Sequence, residues 1–331
     1  LHDALPISAM SLMSLAGLLG PLAGPTLGGW LVEVATWHWI FLINIPMGVL
    51  GILMTLKVMP NVKEPTVKTF DLIGFVLLVV AMIGWSLGIE HLASPEYSKW
   101  FSISLLVVGV VATLWYAYHS HTHQNALFRS RLFRNKIYAI GILGNFFARF
   151  GGNALPFVLP LMLQVAFGFE PFIAGLMMIP LVLGSLFSKP IVRPIIQKMG
   201  YRRFLLVNTT LVGLCIASFA IMTVDTPTWF RALHFFLFGT LNSLQFVGMN
   251  TLTLKDLPQQ DASSGNSFLS MIMMLSMSIG VALAGTLINI FTDYYGTAHV
   301  TTAFHVTLIC LGCINIITAL IFWQIPKNTP V

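Results

Sequence analysis

Residues 14–29 read SLAGLLGPLAGPTLGG, five glycines and two prolines set among apolar side chains. Gly20, Gly24 and Gly28 recur every four residues, so they share one helical face and leave a groove without side chains. In water this would be a poor helix, since each interior Gly costs about 1 kcal/mol and each Pro about 3. In a bilayer the backbone has no other partner, so the segment stays helical and the prolines bend it. The stretch therefore predicts a membrane helix. Two readings of its face stand side by side, a packing groove or the hinge of a moving machine. The residues concerned are Gly17, Gly20, Pro21, Gly24, Pro25, Gly28 and Gly29.

The rest of the chain agrees with a membrane setting. Only 8% of its 331 residues are charged and 56% are hydrophobic, and the mean hydropathy is +0.85. Soluble domains carry about 25% charged residues, so a soluble globule is excluded. Apolar runs of about 20 residues mark spans. Ten are predicted, at 9–34, 39–59, 71–91, 100–119, 137–165, 171–192, 203–224, 229–254, 264–291 and 301–324. The expected class is an all-α polytopic membrane protein. Residues 1–7, LHDALPI, resemble neither a signal peptide nor the helix after them and are set aside as foreign to the fold.

The net charge of +6 lies in short loops between spans, which is how topology is set rather than how nucleic acid is gripped. Lys57, Lys63 and Lys68 fall in one loop, Arg129, Arg131, Arg134 and Lys136 in the next of the same side. Lys189, Arg193, Lys198, Arg202 and Arg203 follow, then Lys255 and Lys327. The intervening loops hold Lys99 among Glu90, Glu96, Glu170, Asp225 and Asp293. Basic loops stay cytoplasmic, which sends the first helix outward and leaves the C-terminus inside.

Three motifs in order carry a family resemblance: GPTLGG at 24–29, WHWIFLINIP at 37–46 and FDLIG at 70–74. The chain resembles the fourteen-helix drug:proton antiporter branch of the major facilitator superfamily, the EmrB/QacA type. The resemblance covers nearly everything from Ser8 onward. It implies a major facilitator fold in which the ten helices are the family's fifth to fourteenth, so that the chain reads as an N-terminally truncated fragment. Residues 8–60 would end the N-terminal bundle, 70–119 would be a linker hairpin, and 137–325 the C-terminal six-helix bundle. The membrane acid that the family implies for proton coupling would lie upstream of this chain. The segment RPIIQKMGYRR at 193–203 resembles the family's loop signature with Gln197 where many relatives place Asp. Arg193, Lys198, Gly200, Arg202 and Arg203 are then either a cytoplasmic gate loop or plain positive-inside anchoring.

Within the spans, Arg149 is the one deep charge, a costly feature that points to function by default. Asn145, Arg149 and Asn153 are spaced by four and form one polar stripe. The stripe reads either as a cavity lining able to meet an anionic group or as an internal structural pair. Gly151, Gly152, Pro156 and Pro160 make the outer half of that helix easy to bend. His234, Asn242 and Gln245 are expected close to one face of the 229–254 helix, as cavity residues or as packing. Met274, among neighbouring methionines, supplies adaptable surface suited either to varied ligands or to a core. His119, His121 and His123 read as a solvated loop rather than a metal site. Cys215, Cys310 and Cys313 read as packing residues, and no metal site is expected.

No HExxH, paired Asp or Walker A sequence is present, so neither catalysis nor ATP use is expected. The expected activity is proton-coupled export of drugs or other amphipathic small molecules, with no cofactor and a proton gradient as the energy source. The fragment itself is expected to be inactive, since the family's coupling acid and four helices are lacking. The partners are then the lipid bilayer, small amphipathic substrates and protons, with no obligate protein partner. The expected location is a bacterial cytoplasmic membrane. The alternatives are export of a defined metabolite, such as an amino acid or a siderophore-like compound, and, less favoured, an intramembrane enzyme.

Overall fold

The computed structural model describes residues 24, 27–59, 70–92, 98–123, 125–128 and 130–326. Gly17, Gly20, Pro21 and Pro25 lie outside the described residues. Helices dominate and no strand occurs among the described residues. In chain order they are α1 (27–34), α2 (Trp39–Leu42), α3 (Asn44–Val58), α4 (Leu72–Leu92), α5 (Lys99–Thr122), α6 (Lys136–Leu161) and α7 (Pro171–Met177). Then follow α8 (Ile179–Ser218), α9 (Thr228–Leu254), α10 (Gln259–Tyr295) and α11 (Val300–Phe322).

Eight helical stretches among the described residues are long and apolar enough to cross a membrane, against ten expected from the sequence. The difference has two causes. Most of the run at 9–34 is not described, and the runs at 171–192 and 203–224 fall in one stretch, Pro171–Ile221. That stretch is nonetheless two spans. Gly200 at φ 73 and ψ 155 breaks the helix, a left-handed backbone that glycine adopts without strain. Before Gly200 the pairings with α9 rise together, Gly184 near Phe236 and Thr240, then Ser188 with Ser243. After it they run opposite, Phe204 near Gly248, Asn208 with Gln245, Ser218 with His234. The chain therefore reverses at Gly200, and α9 is gripped by both limbs of α8.

The helix starts are read directly from local chemistry. The Asn135 side chain accepts from the N–H of Ile137 and of Tyr138, capping α6, and Pro171 opens α7 where its missing N–H costs nothing. Pro156 and Pro160 sit inside α6, which runs into a π turn at Met162–Ala166.

The helices α6, α8, α9, α10 and α11 share the core. Leu155, Leu159, Ile216, Phe219, Phe238, Phe304 and Leu311 fill one cluster, and Ile140, Phe204, Leu205, Leu252 and Phe322 another. The seams close where glycine lets backbones touch. A Cβ on Gly213 would lie 2.7 Å from the Gly312 carbonyl oxygen, and one on Gly84 equally close to the backbone of Gly109. In α4 and α5 this gives a tight hairpin, which leans on α10 through a Ser86–Ser278 hydroxyl contact. By contrast, no residue of α2 or α3 is buried. Helix α1 touches the bundle at Gly29, where a Cβ would stand 2.6 Å from the Pro171 oxygen, and at Glu33, whose carboxylate accepts from Phe172 N–H at 2.8 Å. Gly24 and Gly28 meet nothing within 4 Å among the described residues.

The basic end is stitched by hydrogen bonds. The Asp71 carboxylate caps α4 through Gly74 N–H at 2.9 Å, meets His119 Nε2 at 2.9 Å and accepts from Leu127 N–H at 3.2 Å. Leu127 O takes a bond from Ser264 of α10, and Tyr116 bonds both backbone groups of Phe128. His119 therefore departs from the solvated loop expected for it. Helix α5 continues to Thr122, carrying His119 to 5% exposure against Asp71, while His121 and His123 stay exposed. Burial pushes the Asp71 carboxyl up, but the bonds from Gly74, His119 and Leu127 outweigh it and hold it below the ordinary aspartate range.

Candidate functional site

The site grows from α6. Asn145 and Arg149 stand one turn apart and both turn inward, at 0% and 4% exposure. Arg149 Nε donates to Asn145 Oδ1 at 3.0 Å, and its Nη2 donates to Asn250 Oδ1 of α9 at 3.2 Å. Its guanidinium lies 4.3 Å from the centre of the Phe246 ring. Asn145 Nδ2 donates to Gly141 O at 3.0 Å and to Thr253 Oγ1 at 3.1 Å, which presents its oxygen to the arginine. No carboxylate lies within ion-pair distance of Arg149 among the described residues. A buried cation is thus held by neutral dipoles and a ring face, an arrangement that leaves its charge available to an arriving anion or acid.

Asn153 is half-buried one turn further along α6. There Asn242 reaches across from α9, its Oδ1 against the Cα side of Gly152, where a Cβ would sit 2.5 Å away. Asn242, Phe246, Asn250 and Thr253 therefore line the α6 side of α9. His234 and Gln245 do not join them. Gln245 Nε2 donates to Thr209 at 2.7 Å and its oxygen accepts from Asn208 at 2.9 Å, both on α8. His234 Nε2 lies 2.9 Å from Ser218 Oγ and its ring stacks on Phe219 at 4.1 Å. The expected single face of α9 is divided, because residues 234, 242 and 245 differ by up to about 80° in helical angle. Sequence reasoning missed Phe246, Asn250 and Thr253, although Asn250 follows Asn242 at i+8 and was available as a signal.

Met274 lies elsewhere. Exposed on α10, it lines an open cavity of about 590 Å³ with Glu90 of α4, Phe157 of α6 and Met277, Ser278, Gly285, Thr286 and Asn289 of α10. In the 193–203 segment, Arg193, Lys198 and Arg203 are exposed, Gly200 makes the reversal, and Arg202 stands 5.3 Å from the ring of Trp323. Near the opposite end Arg231 is buried and bonds the carbonyls of Thr223, Val224 and Thr226, with Phe169 at 5.0 Å. It holds the α8–α9 connection together. Among the described residues, no group of three or more His, Cys, Asp or Glu is placed to hold a metal ion.

The family model described as Major Facilitator Superfamily matches residues 7–281 and, in a second alignment, 141–331. Proteins named multidrug resistance protein MdtD are similar along almost the whole chain. The one from Enterobacter sp. (strain 638) is 46% identical over 328 residues, covering 98% of this chain and 69% of that protein. Those from Escherichia coli O6:H1 and Salmonella newport are each 47% identical, over 332 and 331 residues, with the same coverage.

Proposed function

The chain belongs to the Major Facilitator Superfamily, and from that premise we propose that it is a secondary transporter exporting drugs or other amphipathic small molecules in exchange for protons. The observation that carries the reading is Arg149, a buried cation met only by neutral groups among the described residues. A merely structural membrane helix gains nothing from such a charge, which costs at least about 2.5 kcal/mol at bilayer depth. In a transporter it attracts the anionic group of a substrate, or an acid that loads and unloads a proton. The relatives named for multidrug resistance support export rather than catalysis.

In this reading residues 137–325 form one rocking bundle, 70–119 the linker hairpin, and 8–60 part of the opposing bundle. Asn145, Arg149, Asn153 and Asn242 line the path. Arg193, Lys198, Gly200, Arg202 and Arg203 close the cytoplasmic side, and the C-terminus lies inside, in the inner membrane. A proton gradient is the energy source and no cofactor takes part.

The test is transport in liposomes by the chain joined to the part of an MdtD relative that its match leaves uncovered, because these 331 residues alone are expected to be inactive. An imposed inward-acid gradient should drive ethidium across the membrane, and a protonophore should stop it. Ethidium movement that ignores the protonophore, or none at all with gradient applied, refutes the proposal.

A further inference from the structure

We propose that the cleft between the α4–α5 hairpin and α10 holds one acyl chain of an anionic phospholipid from the leaflet at the basic end, with Arg131 and Arg134 beside its headgroup. Such binding stands apart from the export reading. Helix α4 is the spine of the cleft, packing on α5 at one side and on α10 at the other, while α5 packs on α4 rather than on α10. The two outer helices therefore stand apart and leave a cavity of about 300 Å³, a volume found in small-ligand sites. Trp85 of α4, Thr113 of α5 and Leu275 of α10 mark its deep end, just short of the Ser86–Ser278 contact where α4 crosses α10. His121, Ser130 and Phe133 mark its mouth, where α5 ends and the turn Ser130–Arg134 follows. From Leu78 to Trp85 along α4, or from Phe268 to Leu275 along α10, the cleft is about 10 Å deep at 1.5 Å per residue. The hydrocarbon of one leaflet is about 15 Å thick, so this depth takes most of one acyl chain. Thr113, Ala117 and His121, spaced by four and exposed, form the open side through which it enters from the bilayer.

The lining selects an apolar tail with a negative head. Ala81, Met82, Phe268, Met271 and Ile272 give a wall that adapts to a flexible hydrocarbon. The polar groups at depth are already paired. Trp85 Nε1 donates to Thr113 Oγ1 at 3.1 Å, and Thr113 donates in turn to Gly109 O at 2.7 Å. Higher up, Tyr116 bonds both backbone groups of Phe128. A polar guest would lose its water there against groups already satisfied, whereas a hydrocarbon loses nothing. At the mouth the chemistry changes. Ser130 and Phe133 face the cleft, and Arg131 and Arg134 of the same turn are exposed beside it. The hairpin's acid at that end, Asp71, is engaged by Gly74, His119 and Leu127. No carboxylate lies within ion-pair distance of either arginine among the described residues. Basic groups at the rim of an apolar cleft attract an anionic headgroup, about fivefold for each, and repel a hydrophobic cation.

The probes are phosphatidylglycerol and phosphatidylcholine carrying the same photoactivatable diazirine midway along one acyl chain. Each is diluted at equal mole fraction into phosphatidylcholine vesicles that hold the purified 331-residue protein. After illumination, peptide mapping should place label within 268–275 and at Trp85, saturably, and about twenty-fivefold more from phosphatidylglycerol, the product of two arginines at about fivefold each. Unlabelled phosphatidylglycerol should compete and glycerol phosphate should not. Arg131→Gln should lower the preference to about fivefold, and Arg131→Gln with Arg134→Gln should abolish it. Ala117→Trp, a change on the exposed side of the cleft, should remove the label from 268–275. Label on the exposed Ile317 and Leu320 of α11, where ordinary boundary lipid lies, should persist in that variant. Label confined to such boundary positions, equal labelling by the two lipids, or competition by glycerol phosphate overturns the proposal. So does a preference kept in the double arginine variant, or label kept at 268–275 in Ala117→Trp.

Discussion

Replacing Gly239 by Ala tests how the α8–α9 seam is made. A Cβ at Gly239 would press on the carbonyl of Leu181, 2.7 Å from its carbon and 3.0 Å from the Cα. Carbon atoms rest about 3.5–4.0 Å apart, so the helices must part by about 1 Å. The obstacle is backbone and has no rotamer to change. Overpacking of this kind costs about 1–3 kcal/mol, set against about 1 kcal/mol that Ala gains over Gly in helix propensity. The net is a destabilisation of up to about 2 kcal/mol. Gly184→Ala meets the Phe236 carbonyl, its carbon at 2.9 Å, across the same seam. Once one methyl has opened the seam the second finds room, so the double variant should lose less than the two single losses combined. The assay is thermal unfolding in detergent, with Gly28→Ala as the control because its Cβ meets nothing within 4 Å among the described residues. Gly239→Ala melting at or above that control would refute the reasoning, and full additivity would refute the shared opening.

Three further outcomes are expected. Arg149→Met should abolish export, and Arg149→Lys should restore little of it, since a point ammonium cannot serve Asn145, Asn250 and the Phe246 face together; full efflux by the Lys variant in the liposome assay would remove the guanidinium from the mechanism. Because Asp71 titrates below the ordinary range when folded, its contribution is present above the ordinary carboxylate pKa and is lost as pH falls through the lowered folded value. Acid unfolding should therefore be steeper in the wild type than in Asp71→Asn, and parallel acid limbs would contradict this. Cysteines placed at 130 or within 193–203, in a background lacking Cys215, Cys310 and Cys313, should resist an impermeant thiol reagent added outside intact cells; rapid labelling would invert the orientation.

The helical membrane class was legible because twenty-residue apolar runs and scarce charge depend on composition alone. The reversal at Gly200 was legible too, since a left-handed turn between two runs favours glycine. The inward turn of Arg149 could be read from its cost in lipid. What the sequence hid were pairings between distant segments. His119 reads as one of three loop histidines until Asp71, 48 residues earlier, is seen to hold it. His234 and Gln245 look equivalent to Asn242 until α8 claims two of them and α6 the third. The glycine spacing at 20, 24 and 28 invites a packing groove, yet among the described residues Gly24 and Gly28 meet nothing within 4 Å, while Gly29, Gly84, Gly184, Gly213, Gly239, Gly280 and Gly312 are among those pressed against a neighbouring backbone. A glycine permits a close approach; only the partner helix decides whether one occurs.

The crossing of α4 over α10 sets capacity by angle rather than by side-chain volume. The hairpin is pinned at the basic end through Asp71, Leu127 and Ser264, and again at Ser86 with Ser278. Beyond that second pin α10 is held in the core by Ala284 and Ile288 and against the Phe150 backbone at Gly280, so the arm left to move is the α4 end from Ser86 to Leu92, about 9 Å at 1.5 Å per residue. Tilting that arm by roughly 5° swings its tip by about 1 Å and leaves every pinned bond intact. A gap bounded this way widens like scissors held at the rivet, without rearranging a core.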